Sequence, residues 1–281
     1  VSTTQTILLG ALAGFTIYLG LPLGRVRVAS LGTRAFLNAA SAGILVFLLV
    51  EILTHATEPV EEALKEATEG TAAWGRFAAL SLVYATGFGV GLLALFYLGR
   101  LRKRPSRTER TSIGPGAMAV AEAERSQPPV QSAALRTGMA IAAGIGLHNF
   151  SEGLAIGQAG EMTLAALLIV GFALHNTTEG FGIVGPLAAA NVRASWGWLG
   201  LAGLIGGGPT FLGTIVGTSF SSTYLFVFVG CLALAAGALL YVIGEILPVG
   251  RRLSWEVTLW GLMAGFFLGL ATELVLEVAG G

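Results

Sequence analysis

Charge is what this sequence lacks most: Asp, Glu, Lys and Arg together make up 11% of its 281 residues, about half the share usual in a soluble domain. That scarcity excludes a water-exposed globular fold. The few charges balance, 16 basic against 16 acidic, so no nucleic acid or other bulk electrostatic partner is implied. Cysteine is nearly absent: Cys231 stands alone, which rules out an internal disulfide and, in apolar surroundings, reads as a small packing residue. No basic segment precedes the first apolar stretch, so that stretch reads as a true span rather than a cleaved signal peptide. No ATP-binding motif is found. What is abundant is apolar, at 54% of residues with a mean hydropathy of +0.77. Glycine is also plentiful, at 41 residues, and suits the close helix approach found in bilayers.

Apolar runs of about 20 residues, enough to cross roughly 30 Å of hydrocarbon, recur near 6–24, 35–56, 75–99, 134–157, 162–190, 196–219, 223–248 and 256–278. They predict an all-α membrane protein of eight transmembrane helices in contact with the lipid bilayer. Residues 1–99 hold helices 1–3 and 134–281 hold helices 4–8. Residues 100–133, rich in Pro, Ser and charge, read as a mobile cytoplasmic linker. Cytoplasmic loops collect Lys and Arg. With the N-terminus outside, the inner loops take 14 of the 16 basic residues, and the outer loop after helix 2 takes Glu58, Glu61, Glu62, Glu66 and Glu69. Both termini are therefore expected to be extracytoplasmic.

Helix 2 and helix 7 share a pattern. Ala42–Leu53 reads AGILVFLLVEIL and Ala236–Leu247 reads AGALLYVIGEIL, with six of twelve positions identical, the glutamates Glu51 and Glu245 among them. Helix 2 runs outward and helix 7 inward in this topology. Helices 1–3 and 6–8 are thus expected to be inverted repeats around helices 4 and 5, an arrangement common in transporters.

Helices 4 and 5 carry a duplicated polar motif: LHNFSEG places His148, Asn149 and Glu152, and LHNTTEG places His175, Asn176 and Glu179. A carboxylate at mid-bilayer costs about 2.5–3.5 kcal/mol, and no Lys or Arg lies near either glutamate in these spans. A bound cation can supply the compensation instead, the alternative for a lone motif being a hydrogen-bonded cluster with a protonated Glu. At about 100° per residue, Glu comes round between the His and Asn of its own helix, so each glutamate can be shared by two ions. Running antiparallel, the helices bring His148 to the level of Glu179 and Glu152 to that of His175. These donor types suit a divalent transition metal.

Paired HNxxEG segments on the fourth and fifth of eight spans resemble the ZIP (Zrt-, Irt-like Protein) family, as do the linker after span three, the external termini and the AG(x)nE(I/L)L segment of span seven. The resemblance implies a two-metal transport centre made of His148, Asn149, Glu152, His175, Asn176, Glu179 and Glu245, in a homodimer that imports zinc or a related divalent ion. The ion would be substrate, with no catalytic cofactor. Two departures stand out: Ser151 and Thr178 occupy the places before the motif glutamates where relatives carry Pro, which restores a backbone donor and the chance of a straighter helix. The linker also lacks the His-rich tract of many eukaryotic relatives, which points to a bacterial type in a cell (inner) membrane.

Other ionisable groups lie nearer span ends. Glu51 and His55, one turn apart on helix 2, read as an entry path or as an interfacial pair. Glu273 and Glu277 on helix 8 belong either to the same funnel or to the exposed surface. Trp74, Trp196, Trp198, Trp255 and Trp260 read as an interfacial belt. Donors of His, Asn and Glu without thiolate suit Zn²⁺, Fe²⁺, Mn²⁺, Co²⁺ or Cd²⁺ rather than Cu⁺ or Mg²⁺. The competing classes are an intramembrane metal-dependent hydrolase, which needs an open coordination position and a general base, and a metal receptor that transports nothing.

Overall fold

The computed structural model describes residues 2–26, 30–71, 73–101, 130–158, 165–219 and 225–280. Most of the linker expected at 100–133 lies outside them. Among the described residues the chain is helical with no strand: α1 (Thr3–Phe15), two 3₁₀ turns (Thr16–Leu19 and Leu21–Arg25), α2 (Leu31–Thr68), α3 (Trp74–Leu101), α4 (Val130–Gln158), α5 (Ala165–Ala190), α6 (Trp196–Ser219), α7 (Leu225–Leu253) and α8 (Trp255–Gly280). The all-α membrane class is thus observed. Six of these segments are long and apolar enough to cross a membrane by length and composition. The other two are α4 and α5, whose His, Asn and Glu lower their hydropathy, and which are surrounded by the rest.

Two segments differ from their sequence reading. The first span is not one helix: α1 gives way to 3₁₀ turns at Thr16, and Pro22 stands at the start of the second turn. The second is longer than expected, because α2 continues through Pro59 to Thr68, 38 residues in all. At about 1.5 Å per residue it overshoots the hydrocarbon, so the acidic stretch after Thr57 is helix rather than loop. Elsewhere neighbours compensate for helix-breaking residues. Pro186 in α5 cannot bond to the carbonyl of Gly182, and Ser41 of α2 donates its hydroxyl there at 2.7 Å. The C-terminus of α5 is closed by Asn191 at φ 53°, a left-handed cap, and by Arg34, whose guanidinium donates to the carbonyl of Ala189.

The helices form two groups, α1 with α4, α5 and α6, and α2 with α3, α7 and α8, which meet where α2 and α8 lie on α5 and α7 lies on α4. Contacts repeat under exchange of halves: α2 packs on α8 as α7 packs on α3, and α2 on α5 as α7 on α4. The match extends to single residues. A Cβ added to Gly43 would stand 2.2 Å from the carbonyl oxygen of Leu262 and 2.7 Å from the amide of Phe266; one on its repeat-mate Gly237 would stand 2.1 Å from Phe88 O and 2.7 Å from Leu92 N. Gly265 meets Ala40 O as Gly91 meets Leu234 O. Gly14 and Gly207 meet each other's carbonyls reciprocally. Only glycine allows backbones this close, and the inverted repeat inferred from twelve residues therefore reappears as matched helix crossings.

Large apolar side chains face outward, among them Leu82, Val90, Leu201, Leu204 and Leu212, while the interior holds Ile17, Leu45, Leu48, Ile52, Ile141, Ile145, Ile183 and Leu239. Trp74, Trp196, Trp255 and Trp260 are exposed, as a belt requires, whereas Trp198 is half-buried against the core.

Candidate metal centre

The motif glycines explain how α4 and α5 are seated. Gly153 approaches the carbonyl of Thr210 on α6, where a Cβ would stand at 2.1 Å, and Gly180 approaches that of Ile17, at 2.4 Å. The G of HNxxEG is thus a packing residue that holds the neighbouring glutamate at a fixed depth. Ser151 and Thr178 bond inward to their own helices: Ser151 Oγ donates to Leu147 O at 3.4 Å and Thr178 Oγ1 to His175 O at 2.6 Å. Both helices run unbroken through the motif.

The asparagines tie the site to its surroundings. Asn149 Nδ2 donates to Gly206 O and to Glu179 Oε2, both at 3.0 Å, and Asn176 Nδ2 donates to Ala13 O at 2.6 Å. Backbone carbonyls accept only, so these contacts fix the amide orientation and turn each Oδ1, which has no hydrogen-bond partner, to the other side. An amide oxygen is the cation-binding atom of that group.

Between the asparagines the ionisable groups form a chain. His148 Nε2 lies 3.2 Å from Glu152 Oε1 and 4.0 Å from Glu51 Oε1; the same Glu152 oxygen is 3.7 Å from His175 Nε2; and His175 Nε2 is 3.7 Å from Glu179 Oε1. The pairing of Glu152 with His175 and of Asn149 with Glu179 is the crossed pattern of antiparallel helices. Asn149, rather than His148, is the neighbour that holds Glu179. On its other side, His175 Nδ1 is 3.2 Å from Glu273 Oε2. Glu51, His148, Glu152 and His175 offer ligand atoms that all lie within 4.8 Å of one another.

These contacts are not hydrogen bonds. Both nitrogens of both imidazoles and one oxygen each of Glu51, Glu152, Glu179 and Glu273 lack a hydrogen-bond partner although buried. Yet separations of 3.2–3.7 Å match the edge of a coordination tetrahedron, about 3.3 Å for ligand bonds of about 2.0–2.1 Å. Among the described residues no Lys or Arg lies within ion-pair distance of these four carboxylates. Leaving them bare in a low dielectric is costly, and a divalent cation among them would offset the repulsion and give one nitrogen of each imidazole a partner. The donor set therefore fits such an ion.

Of the residues singled out in the sequence, His148, Glu152, His175 and Glu179 converge directly, and Asn149 and Asn176 border them. Glu51 belongs to the cluster itself rather than to a separate entry position, with 10% of its side chain exposed; His55, one turn on, is exposed. Glu245 is not brought to this cluster. It stands exposed on α7 with Leu240, Gly244 and Pro248, because Leu239, Val242, Ile243 and Ile246 form the buried face of that helix. Glu273, read in the sequence as funnel or surface, reaches His175. Its signal was an acidic residue, one turn before Glu277, within the apolar stretch of α8. The side chain of Glu277 lies outside those described.

The fold and site define a multi-pass helical membrane protein with a buried His and Glu centre suited to a divalent cation. Residues 102–273 match the family model of the ZIP zinc transporters, and the chain belongs to that family. Membership implies transport of divalent metal ions across a membrane. Among curated proteins no relative matches the chain.

Proposed function

We propose that this protein imports divalent transition-metal ions, Zn²⁺ foremost and Fe²⁺, Mn²⁺, Co²⁺ or Cd²⁺ with it, into the cytoplasm through a two-metal site built by the α4 and α5 motifs. The observation that carries this reading is the gathering of ligand atoms of Glu51, His148, Glu152 and His175 within 4.8 Å, with both imidazoles and one oxygen of each carboxylate lacking hydrogen-bond partners and, among the described residues, no Lys or Arg paired with them. Glu152, placed between the two imidazoles, is shared by both ions. Glu179 with Asn149 and Asn176 completes the deeper position.

Access is graded. His148, His175 and Glu179 are 1–2% exposed, Glu51 10%, Glu152 15% and Glu273 25%, and His55 is exposed. The opening lies toward the later part of α2 and the end of α8, which the basic-residue distribution places outside. In this reading the conformation is outward-open, both termini lie outside a bacterial inner membrane and the assembly is a homodimer. With the interior negative, a divalent ion gains about 4.6 kcal/mol per 100 mV on entering, from about 2.3 per unit charge, so import runs downhill without ATP.

The test is metal flux into liposomes carrying the purified protein. Glu152→Ala and Glu179→Ala remove ion ligands outright and should cut flux by more than the about 10–100-fold typical of losing an outer-shell partner. Asn149→Ala and Asn176→Ala should cost less. Wild-type protein that binds metal yet moves none would make it a receptor, and equal losses from Asn and Glu replacements would count against shared ligation by the glutamates.

A further inference from the structure

A neutral imidazole carries a lone pair on one nitrogen and a proton on the other, and the hydrogen bond made by the protonated nitrogen decides which of the two is left for a metal. The two buried histidines differ in this respect. His148 approaches carboxylates through Nε2, 3.2 Å from Glu152 and 4.0 Å from Glu51. His175 approaches them on both sides of its ring. Its Nε2 lies 3.7 Å from Glu152 Oε1 and from Glu179 Oε1, among the ligand atoms, while its Nδ1 lies 3.2 Å from Glu273 Oε2.

The place of Glu273 follows from the spacing along α8. Gly261, Gly265, Gly269 and Glu273 recur every four residues and share one face of the helix. The glycines are pressed against α2: an added Cβ would meet Phe36 O at Gly261, Ala40 O at Gly265 and the Phe47 ring at Gly269. The stripe ends at Glu273, where the large side chain turns to α5, on which α8 also packs. Glu273 Oε2 and His175 Nδ1 are both buried and both without a hydrogen-bond partner, although the Glu273 side chain as a whole is 25% exposed. Their separation is that of a hydrogen bond; only alignment is missing. The last torsion of a glutamate is broad and soft, so a small turn of the carboxylate supplies it.

We propose that Glu273 is a positioning residue for the transported ion: its carboxylate accepts the Nδ1 proton of His175 and so holds the ring in the tautomer that presents Nε2 to the ion. The inference rests on the transport reading above and adds to it a residue that acts through a ligand without touching the metal. An imidazole held in this way is fixed in orientation and is a more basic ligand. His148 has no described carboxylate paired with its Nδ1, so the two histidines are unequal ligands.

The test uses the whole purified protein, labelled with ¹⁵N-histidine, in lipid nanodiscs with Zn²⁺ as the probe. Two-bond proton–nitrogen correlation distinguishes protonated, free and metal-bound ring nitrogens, and a His175→Gln sample identifies the signals of that ring. In the Zn²⁺-loaded wild type, His175 should show Nε2 bound and Nδ1 protonated. Metal on Nδ1, or a proton on Nε2, would overturn the proposal without recourse to any Glu273 variant. Two replacements then separate positioning from plain charge. Glu273→Gln keeps a carbonyl acceptor and Glu273→Ala removes it, so Zn²⁺ affinity measured by calorimetry should fall about 10–100-fold in the alanine protein and by a smaller factor in the glutamine protein. Equal losses in the two would mean that the carboxylate acts by its charge alone, and no loss in either would mean that it does not act; each sinks the proposal. Wild-type histidine signals that do not respond to Zn²⁺ would refute the metal centre, and the transport reading with it, instead.

Discussion

At the scale of single residues, what matters is which atoms are left without partners. His148 and His175 each present two nitrogens lacking hydrogen bonds, in a setting only 2% exposed, and such atoms are available to a metal only when unprotonated. Protons therefore compete with the ion. Free imidazole titrates near pH 6.5 and carboxylates lower, so apparent affinity should fall as the pH drops from about 7 to 5, by about tenfold per pH unit for each proton that binding displaces. Calorimetry in buffers of different ionisation enthalpy counts those protons, and a count unchanged by replacing both histidines with alanine would disprove their ligation. The motif residues were legible in the sequence because duplication made chance implausible and helical spacing put His and Glu on one side. Glu51, Glu273 and Glu245 were not. A helix pattern gives the depth of a side chain in the membrane but not which neighbour its face meets, and that depends on how α2, α7 and α8 lean on α4 and α5.

Among elements, the glycines set the geometry. Gly43 and Gly237 each leave room for an opposing backbone carbonyl that a Cβ would meet at 2.2 and 2.1 Å, and the atoms there are backbone, which cannot swing aside. Gly43→Ala and Gly237→Ala should therefore destabilise the protein by similar amounts, about 1–3 kcal/mol or more from overpacking, read as equal losses in thermal stability in detergent. Gly75→Ala, where an added Cβ meets nothing within 4 Å, is the control and should change nothing. Apolar runs marked the eight helices of the described residues, although hydropathy by itself singles out six of them. It missed the 3₁₀ break after Phe15, which follows from local turn preference around Pro22 and from the fit of Gly20 against Thr177 O. It also stopped α2 too early, because polar residues beyond the membrane look like loop whether or not the helix continues.

For the molecule as a whole, residues 102–129, expected to be a cytoplasmic linker, join α3 to α4, and the two helix groups are held to each other by their crossings. Protease or impermeant label should reach residues 102–129 only from the cytoplasmic face, and labelling from outside would reverse the topology and with it the side on which the centre opens.

The slope in exposure from His55 through Glu273 and Glu152 to the buried imidazoles also bears on water. An arriving ion carries a hydration shell, and each deeper donor can replace one water molecule before the next is given up, so that no step leaves the ion under-coordinated. Such a staircase favours cations that exchange water readily. Mg²⁺, which dehydrates reluctantly and prefers oxygen donors, should keep its water shell and neither stay at the carboxylates of the mouth nor pass to the imidazoles. A large excess of Mg²⁺ is then expected to slow Zn²⁺ uptake only weakly in liposome flux assays, without itself appearing inside.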